Sequence, residues 1–119
     1  NEETRAFSKR YFERFKRMPN MIQASAYGAT MHYLQAVKAA GSDDTAAIMK
    51  KMRDTPINDF MTKNGTIRQD GRVMRDMYVF KVKSPEQSKG EWDLYEQVAS
   101  IPAAEAFQKA DPAACPLVK

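Results

Sequence analysis

His32 and Cys115 are the only histidine and the only cysteine in 119 residues, so imidazole and thiol chemistry are each confined to one position. Histidine is the usual general base near neutral pH. His32 stands within a helical pattern, flanked by Met31 and Tyr33. No motif places a serine or cysteine nucleophile beside it. Cys115 is alone near the C-terminal end, so no internal disulfide forms and no Cys/His set for zinc exists. The carboxylates Asp54, Asp59, Asp70, Asp76 and Asp93 are scattered and make no calcium loop. No Gly-rich phosphate loop is present. The sequence therefore leads to an expectation of no catalytic residue, no metal and no cofactor, and to binding rather than catalysis.

Charge is the next candidate for function. The formal net charge is +4, from 19 basic and 15 acidic residues. Arg5, Lys9, Arg10, Arg14, Lys16 and Arg17 hold much of the excess. Such a run serves a nucleic-acid or anionic-lipid surface, or is simply the solvated face of an amphipathic helix. No base-stacking motif accompanies it, which favours the solvated face. Eight methionines at helical spacing read as core filler rather than as an adaptable binding surface. Mean hydropathy is −0.63, and no apolar run approaches the roughly 20 residues of a membrane span. The length suits one small domain or a piece of a larger protein.

These residues need elements to hold them. Phe7, Tyr11, Phe12, Phe15 and Met18 recur at helical spacing, which predicts a first helix over residues 2–16. Asn20 is a good N-cap for a second helix that runs to residue 40 and stops at Gly41. Its apolar stripe is Tyr27, Met31, Leu34 and Val37, with Ile22, Ala26 and Tyr33 beside it. Small residues fill its first half and let another segment come close. Ser42 or Asp43 caps a third helix over residues 43–53, with Ile48, Met49 and Met52 inward. Ile57 and Phe60 read as buried anchors in an irregular loop.

From residue 65 the period changes to two. A short strand, the Asp70-Gly71 turn, a strand over residues 77–83, a break at Ser84-Pro85 and a strand over residues 94–101 follow in order. Residues 103–109 suit a final helical turn or two. The expected architecture is α/β: three helices followed by about three short antiparallel strands. One local binding feature stands out. The start of the second helix, at Met21, Ile22 and Gln23, is expected to offer free backbone N–H groups and the positive end of the dipole.

Four stretches in order carry a family likeness. RYFERFKRMPN, ASAYGATMHYLQAVKAAGSDD, GTIRQDGRVMRDMYVFKVKSP and EWDLYEQVASIPAAEAF with the ending CPLVK together resemble the C-terminal third of type I periplasmic solute-binding proteins of ABC transporters. The likeness is to the branched-chain amino acid group, which includes binders of aromatic acids. It implies the C-terminal portion of a two-lobe fold. Residues 1–76 would be the helical part of the first lobe, 77–83 a hinge-crossing strand and 84–119 the C-terminal part of the second lobe. It implies that the position at Ile22, or its neighbours Met21 and Gln23, touches ligand. It also implies a periplasmic protein, exported by a signal outside this chain.

The leading reading is the solute-binding subunit of an uptake transporter for amino acids or small aromatic carboxylates. Its partners would be the solute and an ABC permease, with no nucleic acid. This piece would not bind alone and would associate with itself, or swap elements with a copy, to hide its apolar faces. The alternatives are a small basic nucleic-acid-binding module using the Arg5–Arg17 face, and a ligand-sensing domain of the same fold. An enzyme is the least favoured class.

Overall fold

A computed structural model describes residues 1–115. Three helices come first: α1 (Glu2–Phe15), α2 (Met21–Ala40) and α3 (Thr45–Asp54). A side chain caps each start. Asn1 Oδ1 accepts from the Thr4 N–H at 2.8 Å, and Asn20 Oδ1 accepts from the Ile22 N–H at 2.9 Å. The third cap is Asp44, whose carboxylate accepts from the Ala47 N–H at 2.8 Å, not Ser42 or Asp43 as expected. Ser42 Oγ instead accepts from the Asp44 N–H and braces the preceding turn. α1 stops at Phe15 because Lys16 turns left-handed, with φ 55°, and donates its N–H to Phe12 O. Gly41 ends α2 the same way, with φ 62°, where glycine meets no steric cost.

The buried face of α2 is not its large apolar stripe. The buried residues are Ala24, Gly28, His32 and Ala36, one line at four-residue spacing. Met31 and Leu34 are 38% and 51% exposed. The reason is what packs there. α3 and the loop after it lie on the small-residue line, and they need its low profile. His32 Nε2 lies 2.9 Å from Met52 O. A carbonyl only accepts, so Nε2 carries the proton and ties α2 to α3. At Gly28 the approach is closer still: an added Cβ would lie 2.7 Å from Asp59 Oδ2. Asp59 Oδ1 is meanwhile held by the Met61 and Thr62 N–H groups at 2.8 and 2.7 Å.

An aromatic cluster joins α1 to this unit. Phe7 stacks on Phe60 at 4.2 Å between centroids, and Tyr27 meets Phe7 at 5.2 Å. Asn1 donates to Phe60 O and Lys63 pairs with Glu3 at 2.6 Å. Ile57 is buried and Phe60 half-buried, as anchors of the loop.

Four strands follow, one more than expected, in two separate antiparallel pairs. β1 (Thr66–Ile67) pairs with β2 (Val73–Met74), placing Thr66 opposite Met74. Their loop turns at Gly71, with φ 84°, where the Gly71 N–H reaches Arg68 O at 2.9 Å and the Arg68 N–H reaches Arg72 O at 2.8 Å. This is a three-residue hairpin loop with glycine at the left-handed position. β3 (Met77–Val82) pairs with β4 (Tyr95–Ile101). Val79 faces Ala99 and Phe80 faces Gln97, so Val98 is an extra residue in β4. That bulge bends the ribbon. A 3-10 turn (Pro85–Gln87) and the Lys83–Asp93 pair at 2.7 Å close its far end. α4 (Ala103–Ala106) comes last.

Much apolar surface stays open. The chain exposes 9273 Å², about 2,700 Å² more than a compact protein of its mass. Its radius of gyration is 17.2 Å, against about 13.5 Å for a compact domain of this length. The β3–β4 ribbon is open on both sides: Tyr78, Phe80 and Val82 on one face and Val79 on the other are each at least 42% exposed. A two-stranded ribbon alone is marginal in water, so these faces call for a cover.

Two tests follow from the packing. Gly28→Ala forces the pinned Asp59 carboxylate off its N–H donors and is expected to lower stability by roughly 1–3 kcal/mol in thermal unfolding. In an Asp59→Ala background the same change is expected to be nearly neutral; an equal loss in both backgrounds refutes the close approach. At the β1–β2 turn, Arg68 grips Asp70 by two hydrogen bonds, at 2.8 and 2.5 Å. That ion pair lowers the Asp70 pKa to about 2, helped by the Arg72 N–H. The turn is therefore fully stabilised above the ordinary carboxylate pKa of about 4 and loses that stabilisation as pH falls through about 2. Carboxyl NMR titration is expected to show the low midpoint, and Arg68→Ala to raise it. A midpoint near 4 in the parent chain excludes the pair.

Candidate functional site

Met21, Ile22 and Gln23 sit together on the first turn of α2, where the sequence reading places ligand contact. Asn20 is extended there, with φ −102°, and its side chain bends back over the helix end. Asn20 Oδ1 accepts from the Ile22 and Gln23 N–H groups at 2.9 and 3.3 Å. Gln23 Oε1 accepts from the Asn20 N–H at 2.7 Å, which completes a reciprocal box. The expected free N–H groups are thus two fewer, because the chain's own carboxamide occupies them. An anion at this helix end would have to displace Asn20.

The same turn presents apolar surface instead. Met21 is 80% exposed and Ile22 69%, the two highest values among the exposed large apolar residues. Gln23 is half-buried, with its amide nitrogen left free to donate while its oxygen serves the cap. The turn therefore offers an apolar wall beside an amide donor. Chemically, such a combination can meet one apolar group and one hydrogen-bond acceptor.

One turn further along α2 begins a groove of about 460 Å³. Ser25, Gly28 and His32 form one wall, and the segment through Asp59, Ile67 and Met77 forms the other. Two of its polar groups serve the fold: His32 Nε2 donates to Met52 O, and Asp59 Oδ1 accepts the Met61 and Thr62 N–H groups. Met21, Ile22 and Gln23 are not in its walls. The sequence reading does not include the groove, because residues 57–77 reach α2 only through long-range folding. The four-residue spacing of Ala24, Gly28, His32 and Ala36 was the available signal.

Other candidates stay apart. Cys115 is half-buried and free. Among the described residues no group of three or more His, Cys, Asp or Glu is placed to hold a metal ion. No described helix is long and apolar enough to cross a membrane.

Comparison with known proteins places this architecture. A family model described as periplasmic binding protein matches residues 1–91. The solved structure of a periplasmic binding protein from Burkholderia mallei superimposes with a TM-score of 0.93 at 41% identity, covering 100% of this chain and 32% of that one. A branched chain amino acid ABC transporter periplasmic ligand-binding protein from Burkholderia xenovorans LB400 matches with a TM-score of 0.87 at 40% identity. That match covers 92% of this chain and 29% of that one. The chain thus spans about a third of the length of the solved structures it matches. No curated protein matches it. The chain belongs to the periplasmic binding protein family.

Proposed function

We propose that this chain is the C-terminal portion of a solute-binding subunit of an ABC uptake transporter. The observation that carries the reading is the likeness over the chain's full length to a periplasmic binding protein, with a TM-score of 0.93 at 41% identity. The second neighbour's printed name, a branched chain amino acid ABC transporter's ligand-binding protein, supports an amino acid as the solute, and small aromatic carboxylates enter from the sequence resemblance alone. In this reading residues 1–76 belong to the first lobe, 77–83 cross the hinge and 84–119 go with the second lobe. The protein works in the periplasm and delivers its solute to a membrane permease. Lobe closure around the solute is the mechanism, and no bond is made or broken.

Ile22 and Met21 supply an apolar wall to the solute's side chain, and the Gln23 amide donates to one of its oxygens. The wide-open faces of β3–β4 and α2 support the remainder of the fold as their cover. Alone, the 119-residue chain associates with a second copy. Its excess exposed surface of about 2,700 Å² is of the size an obligate dimer buries. Light scattering after size exclusion is expected to show a mass above the 13.5 kDa of one chain. A sharp monomer peak with cooperative unfolding refutes this.

The solute reading is tested on the protein encoded by the whole reading frame that contains this chain. L-leucine, L-phenylalanine and benzoate are the probes. At a hundredfold excess over Kd, the matching class is expected to add about 2.7 kcal/mol to stability and raise Tm. Ile22→Asp is expected to weaken that probe by about tenfold or more, while leaving the ligand-free Tm unchanged because Ile22 is 69% exposed. No Tm rise with any probe overturns the assignment of solute class. An undiminished rise in Ile22→Asp removes Ile22 from the site.

A further inference from the structure

The charge of the chain is lopsided. Residues 9–17 hold Lys9, Arg10, Arg14, Lys16 and Arg17 against the single acid Glu13. That surplus equals the +4 of the whole chain, so the other residues balance. All five cations are exposed, and none makes an ion pair among the described residues. Glu2 and Glu3 stand at the opposite end of α1, where Glu3 is taken by Lys63. The dipole of a helix favours a cation or two at its C-terminus. Five cations in this short stretch exceed that need.

Aromatic surface is open at the same end. Phe12 is 39% exposed and Phe15 50%. Arg5, Lys9, Phe12 and Lys16 follow the three- and four-residue steps of one helix face. That face turns away from Phe7, the buried residue of α1. An open apolar ring among unpaired cations suits the boundary between anionic headgroups and acyl chains. Nucleic acid is less well suited, because bases stack on successive free rings. Phe15 already packs on Tyr11 at 4.5 Å, with the Arg14 guanidinium 5.6 Å from its centre.

We propose that the C-terminal half of α1, with Lys16 and Arg17, docks the protein on an anionic phospholipid surface. Each cation brought to such a surface strengthens binding by about fivefold at low salt. Phe12 adds apolar contact at the acyl boundary. Burying unpaired cations against further protein is costly, so this end stays at the surface when the rest of the fold is present. On the transporter reading above, docking keeps the protein near its permease. Binding to lipid does not itself depend on that reading or on any solute.

The test is co-sedimentation of the protein from the whole reading frame with lipid vesicles, without solute. Vesicles of phosphatidylcholine with about 30 mol % phosphatidylglycerol are expected to pull the protein down at about 20 mM salt and to release it at about 0.5 M. Phosphatidylcholine alone is expected to leave it in solution. Lys9→Gln with Lys16→Gln is expected to weaken partition about twentyfold, and Phe12→Ala about fivefold. Lys81→Gln with Lys89→Gln removes the same charge from exposed positions on the β3–β4 side and is expected to change partition less than about twofold. No sedimentation with the anionic vesicles at low salt overturns the proposal, as does equal sedimentation with phosphatidylcholine alone. Undiminished partition in the Lys9 and Lys16 variant overturns it too. An equal loss in both lysine pairs assigns the effect to net charge rather than to the α1 end, and refutes the docking face. Tighter binding to a single-stranded oligonucleotide than to the vesicles gives the face to nucleic acid instead.

Discussion

The close approach at Gly28 governs the rest of the structure. A helix flank with no Cβ at that point lets the Asp59 carboxylate lie against it, 2.7 Å from where a Cβ would be. That carboxylate in turn holds the Met61 and Thr62 N–H groups and so fixes the loop after α3. The loop positions Phe60, and Phe60 stacks on Phe7 to hold α1. It also leads through the Ile57–Gly65 bridge into β1. Gly65 repeats the device, since a Cβ there would meet the Thr62 methyl at 2.5 Å. Two glycines thus let one loop brace both the helices and the first hairpin.

This choice of contact has a consequence for exposure. A helix has only so much circumference. Once the line of Ala24, Gly28, His32 and Ala36 is used for α3 and its loop, Tyr27, Met31 and Leu34 must point elsewhere. Tyr27 turns to the Phe7–Phe60 cluster, while Met31 and Leu34 stay 38% and 51% exposed. Both sides of the β3–β4 ribbon are exposed as well. Burying apolar surface contributes roughly 25 cal/mol per Å², so open faces of this extent are a strong driving force for association with further protein. The chain's own contacts hold its pieces in place and leave its outward faces shaped for neighbours.

How much of this was legible in the sequence depended on how local the physics was. Caps and turns were readable because they act within three or four residues. Asn20 and Gly41 bound α2 as expected, and Asp70-Gly71 made its turn. α3 was capped one residue later than expected, because Ser42 went to bracing the turn and left the cap to Asp44. β2 was missed because two residues, Val73 and Met74, carry no visible alternation. The inward face of α2 was read in part: its small residues were expected to admit a close neighbour, as Ala24 and Gly28 do, but the exposure of Met31 and Leu34 was not foreseen. Hydrophobicity indicates which side chains want burial, whereas close approach selects the small ones. Of the candidate site, the first turn of α2 was singled out for the N–H groups of a helix start and again through a family resemblance; the structure leaves Met21 and Ile22 exposed there. The loss of its free N–H groups to Asn20 was not foreseen, although Asn20 and Gln23 together are a capping-box pair.

That box also bears on how the turn could bind. Two reciprocal bonds between Asn20 and Gln23 hold the first turn of α2 before any ligand arrives. Backbone order at a binding surface reduces the entropy lost on association. The large exposed side chains on that turn, Met21 and Ile22, differ in stiffness. Ile22 is β-branched and restricted at its first torsion, while Met21 is flexible and adapts to the shape it meets. In the proposed role, a rigid wall beside an adaptable one, on a turn already fixed by its cap, would discriminate by size through Ile22 and tolerate variation through Met21. With the N–H groups of this turn taken by Asn20, any carboxylate on the ligand must find its donors elsewhere in the cleft. In the proposed binding role, the α2 end is then suited to the apolar end of the solute.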